Sequence, residues 1–161
     1  MNPSLPEGFL AGPPAGPGPG VLVLHAWWGL NDTIRAFCAR LAESGFSAFA
    51  PDLYHGQVAD TITAAEALGQ ALDRNFQQAR AEIAAAAAFL DQHARPAGSG
   101  LAVIGFSLGA FYALDLSAAD PARDPRAGIG QGEAPAERGP EQRHGDLVDD
   151  GGGDEEGEGH A

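Results

Sequence analysis

The chain has 161 residues, 44% hydrophobic and 19% charged, enough for one domain with its own core. Its formal net charge is −13 and its 9 cationic side chains are all Arg, a balance that argues against nucleic acid and anionic membranes as partners. The start shows no cationic stretch leading into an apolar one, and no apolar run approaches the ~20 residues that cross a bilayer. The expectation is therefore a cytoplasmic protein.

"EGFLA", Glu7 to Ala11, reads as a short edge strand, and "GPPAGPGPG", Gly12 to Gly20, as a loop that Pro and Gly impose. "VLVLHAW", Val21 to Trp27, is a continuous apolar run of the kind that forms a buried parallel strand. Asn31 is placed to cap a helix whose Ile34, Phe37 and Leu41 share one face, with Gly45 as its stop. The single cysteine, Cys38, lies on that helix and has no internal disulfide partner; it is expected as a small core residue. "FSAFA", Phe46 to Ala50, reads as the next strand, ended by Pro51.

Two helices are predicted next, over Thr63 to Asp73 and Asn75 to Ala94. The second carries Phe76, Ala79, Ile83 and Leu90 on one stripe. Arg95 to Gly100 reads as a turn, Leu101 to Phe106 as a strand and Leu108 to Ala118 as a helix. Strands alternating with helices predict an α/β fold, a mostly parallel sheet with helices on both faces.

Beyond about Asp120 the texture changes. From Arg123 on, Ile129, Leu147 and Val148 are the only large aliphatics, and Gly, Pro, Asp and Glu dominate. Such a segment buries too little apolar surface to offset its ordering entropy. Residues 1–120 are therefore expected to form the domain and 121–161 a disordered acidic tail.

"GFSLG", Gly105 to Gly109, fits G-x-S-x-G, the nucleophile elbow, with a predicted strand before it and a helix after it. The motif needs a tight turn that projects the Ser107 hydroxyl, and glycines where the backbone crowds itself. The helix N-terminus then faces the site, and the Leu108 N–H becomes one oxyanion-hole donor. "LHAWWGLND", Leu24 to Asp32, follows the first buried strand. The Trp27 N–H is the candidate second donor, and Trp28 is the candidate substrate-cleft side chain.

The blocks "HAWWGLN", "APDLYHG" and "GFSLGA", in this order, resemble the dienelactone hydrolase family of α/β-hydrolases over about Glu7 to Asp120. The resemblance implies an α/β-hydrolase fold, no cofactor or metal, and a small-molecule ester or lactone hydrolysed through a covalent acyl-enzyme. It also implies a triad of nucleophile, Asp and His in that chain order. Dienelactone hydrolase proper uses Cys where this chain has Ser107, and an acidic residue where it has Ala26.

The family's Asp and His come from loops downstream of the elbow helix. Here Asp124, Asp146, Asp149, Asp150, His144 and His160 fall in the predicted tail, and none follows an apolar run. His25, His55 and His93 are expected as structural or solvated groups, so the triad Asp and His are left unassigned. A change of reading frame near Pro121 to Arg126 would produce such a tail. The alternative to a serine hydrolase is a catalytically incomplete chain, inactive or acting only as an interaction module.

Overall fold

The structure, a computed structural model, describes residues 5–95 and 100–119. In chain order the elements are β1 (Gly8–Ala11), β2 (Gly20–Leu24), α1 (Asp32–Glu43), β3 (Ser47–Pro51), α2 (Ile62–Arg74), α3 (Phe76–His93), β4 (Ala102–Gly105) and α4 (Leu108–Ala119). This is the order that the sequence predicts. The expected acidic tail, the frame change at 121–126 and the domain boundary near residue 120 lie outside the described residues.

The strands form one sheet in the order β1-β3-β2-β4. β2 runs parallel to both β3 and β4, with Leu22 opposite Phe49 and Val103. β1 is antiparallel to β3, so the sheet is mostly rather than wholly parallel. Among the described residues β4 is the last strand and forms one edge.

Strand alternation divides the core between the two faces of the sheet. Leu22, Leu24 and Phe49 face Ile83, Leu90 and Tyr112 of α3 and α4. Val21, Val23, Ala48 and Ala50 face Ile34 and Cys38 of α1. Cys38 is fully buried, and burial pushes its thiol up to about 11. It is a packing residue, not a nucleophile. α3 and α4 are further joined by a 2.6 Å contact from Arg80 Nε to Asp115 Oδ2.

Several boundaries shift for identifiable reasons. β2 ends at Leu24 rather than Trp27, because the chain turns immediately and Gly29 N–H bonds back to the Ala26 carbonyl. Pro51 belongs to β3 instead of terminating it. It stands opposite Gly8 of the edge strand, and the pairing continues as Asp52 N–H donates to the Glu7 carbonyl. In α1 the buried stripe is Ile34, Cys38 and Ala42, with Phe37 and Leu41 half-buried beside it. No described helix is long and apolar enough to cross a membrane.

Candidate active site

β4 delivers the chain to Ser107 and α4 takes it away. Phe106 N–H bonds the Leu24 carbonyl at 3.0 Å, which keeps the strand aligned with β2 up to the turn. Ser107 then adopts φ of 52°, the left-handed region that a non-glycine residue enters at a cost. The turn closes as Gly109 and Ala110 N–H donate to the Phe106 and Ser107 carbonyls, each at 2.9 Å.

Both glycines of the motif are needed for space. A Cβ on Gly105 would overlap the Gly109 carbonyl and stand 2.6 Å from the Ala110 Cα. A Cβ on Gly109 would run into the Leu24 carbonyl oxygen and stand 2.7 Å from that of His25. The helix thus starts directly against the end of β2, leaving Ser107 exposed at its N-terminal end.

The blocks "HAWWGLN" and "APDLYHG" act on the neighbouring loops in equally physical ways. His25, fully buried, accepts the Leu53 N–H on Nε2 at 3.2 Å, while its Nδ1 lies 2.7 Å from the Ala26 carbonyl. This arrangement requires the proton on Nδ1. Burial holds the His25 pKa below its ordinary value, opposed by the Ala26 hydrogen bond and the charge of Asp52. The imidazole therefore ties the loop after β2 to the loop after β3. Asp52 fastens the second loop by accepting N–H bonds from Tyr54 and Gly56. Asn31 caps α1 through the Ile34 N–H at 3.1 Å, as its position predicts.

Ser107, Leu108 and Trp27 line one cleft of about 440 Å³, a volume suited to a small molecule. Its opposite wall is α2, through Glu66, Gln70 and Asp73. Leu108 opens α4, where a helix N–H has no intrahelical acceptor. No acceptor among the described residues takes the Trp27 N–H. Trp28 goes elsewhere. It packs edge-on against Trp27 at 5.5 Å but lines a second cavity, of about 520 Å³, with Phe37 and Phe106. The α2 residues are the part of the cleft that motif reading misses. Glu66, Gln70 and Asp73 recur at helical spacing, which marks them as one face but not as the face toward Ser107.

The described histidines all have partners away from Ser107. His25 is committed as above. His55 contacts Glu7 at 3.0 Å and Glu82 at 3.5 Å, and His93 contacts the Phe89 carbonyl at 2.8 Å. Among the described residues there is also no group of His, Cys, Asp and Glu that could hold a metal ion.

The dienelactone hydrolase family model matches residues 7–129. The chain is 51% identical over 57 residues to the usf protein of Aquifex pyrophilus, covering 34% of this chain and 24% of that one. It is 34% identical over 113 residues to the carboxymethylenebutenolidase of a Pseudomonas species, covering 66% and 47%. Among solved structures, a dienelactone hydrolase-like promiscuous phosphotriesterase from metagenomic libraries superposes with a TM-score of 0.54 at 34% identity, covering 63% of this chain and 43% of that one. The chain thus spans from about a quarter to about half of the length of these relatives.

Proposed function

The chain belongs to the dienelactone hydrolase family, and from that premise we propose that it cleaves a carboxylic ester or lactone with Ser107 as nucleophile. The Ser107 oxygen attacks the acyl carbon, the alcohol or ring oxygen leaves, and the acyl group stays on Ser107 until water releases it. The N–H groups of Leu108 and Trp27 receive the negative charge that develops on the carbonyl oxygen. The observation that carries this reading is the left-handed Ser107, exposed between the start of α4 and Trp27 on a shared cleft.

The reaction requires a base for the Ser107 proton and for the attacking water. In this reading that base is none of His25, His55 and His93, whose ring nitrogens have the partners described above. The same observation favours a second reading, in which the chain does not complete the cycle and is inactive or serves only as an interaction module.

Turnover of a p-nitrophenyl ester by this chain, with Ser107→Ala as control and a thermal melt alongside, separates the two. Repeated Ser107-dependent turnover by a cooperatively melting protein supports the hydrolase. A cooperative melt with no turnover above the control supports the second reading.

A further inference from the structure

We propose that Asp73 is a positioning residue: its carboxylate turns in from the rim of the Ser107 cleft and accepts hydrogen bonds from the Tyr54 and Tyr112 hydroxyls, fastening α2 to the core as the wall that faces Ser107. The two phenols call for such a partner. Tyr54 is 3% exposed and Tyr112 1%, and neither hydroxyl has a hydrogen-bond partner among the described residues. A buried hydroxyl left unpaired costs free energy that a nearby acceptor recovers, a carboxylate most of all. Of the 13 residues of α2 only Ala65 and Leu72 are buried, so two such bonds are a large part of its attachment.

The backbone brings Asp73 to both phenols. The Tyr54 oxygen lies 3.8 Å from where a Gly69 Cβ would stand. Gly69 and Asp73 are one turn apart on α2, and a helical side chain leans toward the N-terminus, over the turn before its own Cα. Asp73 therefore leans over Gly69, which has no side chain to bar the way to Tyr54. Tyr112 approaches from α4: its ring packs at 5.7 Å against Phe76, three residues beyond Asp73. Burial first, and the charge of Asp73 second, raises the pKa of both phenols, Tyr54 to about 12, so both keep their protons at pH 7 and are donors. Asp115 also acts on Tyr112, but its carboxylate is held by Arg80. Asp73 forms no ion pair among the described residues, and its two carboxylate oxygens suffice for both hydroxyls.

Asp73 lies in the last turn of α2, where Ala is the better helix former and a negative charge opposes the helix dipole. Without the phenols, Asp73→Ala would stabilise the full chain. With them it is expected to raise the unfolding constant, read by urea titration at pH 7, about tenfold. In the Tyr54→Phe, Tyr112→Phe background the same substitution is expected to raise that constant by less than about twofold or to lower it. Tyr54 and Tyr112 are the chain's two tyrosines, so their Cζ carbon resonances report the contact by NMR without overlap. Asp73→Ala is expected to move both. A stabilising Asp73→Ala, a penalty that persists at full size without the phenols, or an unmoved Tyr54 or Tyr112 resonance would each overturn the assignment. The contact does not depend on Ser107 being a nucleophile, so its failure leaves the hydrolase reading untouched.

Discussion

Gly105 and Gly109 meet across the turn that carries Ser107, so closely that a Cβ on Gly105 would overlap the Gly109 carbonyl. The two glycines hold the start of α4 against β4 and β2, and Ser107 is projected because neither neighbour has a side chain to separate them. Gly109→Ala is expected to destabilise by about 1–3 kcal/mol, since its methyl meets the Leu24 and His25 carbonyls rather than a yielding side chain. Urea titration of the variant against the parent chain measures this, and an unchanged midpoint would contradict the packing.

Ser107 holds a φ of 52°, where glycine is at ease and a Cβ is not. Ser107→Gly is therefore expected to be more stable than Ser107→Ala by about 1 kcal/mol. That order reverses the usual ranking of the two residues within helices and strands. Paired denaturant melts give the difference directly, and Ala equal to or above Gly would show that the turn is unstrained.

His25 is buried as the neutral imidazole, so its folded pKa lies below its unfolded one. Its contribution is present above an unfolded pKa of about 6.5 and is lost as pH falls toward the folded value, because the unfolded chain binds the proton more readily. His25→Phe leaves the Leu53 N–H unpaired and is expected to cost about 1–3 kcal/mol. His25→Gln keeps an acceptor and removes this part of the acid dependence. Melting temperatures of the three proteins between pH 5 and 8 check both effects.

His55 works with the opposite sign. Its hydrogen bond to Glu7 raises its pKa above the ordinary value, with partial burial opposing and the charges of Glu82, Glu7 and Asp52 assisting. The stabilisation it supplies is fully present below its unfolded pKa and lost as pH rises through the folded one. With about half of its side chain in solvent, the effect is small and weakened by salt. An NMR titration is expected to place the His55 pKa lower in Glu7→Gln than in the parent chain. Equal values would break the link between His55 and Glu7, the residue before β1.

Element order and both faces of the sheet were legible in the sequence because the signals are local. A β-branched apolar run such as "VLVL" has few alternatives to a buried strand, and Asn31 before an amphipathic run marks a helix start. The elbow was legible because its glycines answer to one backbone collision. The nearby arrangement was not. Whether Trp27 or Trp28 joins Ser107 depends on a turn closed by the Gly29 N–H, and adjacent residues of equal type give no periodic signal to separate them. That Glu66 and Asp73 line one cleft with Ser107 depends on where α2 lies relative to the elbow, a long-range relation that helical spacing does not encode.

The role of Ser107 is tested most directly by trapping its acyl-enzyme. The chain is mixed with p-nitrophenyl acetate, quenched in acid, digested and analysed by mass spectrometry while p-nitrophenolate release is followed. The account predicts one acetyl group on the peptide containing Ser107, absent from Ser107→Ala. Repeated p-nitrophenolate release would mark a working hydrolase, and a single stoichiometric burst a chain that cannot release its acyl group. No adduct on that peptide, or the same yield from Ser107→Ala, would contradict the assignment of Ser107 as nucleophile.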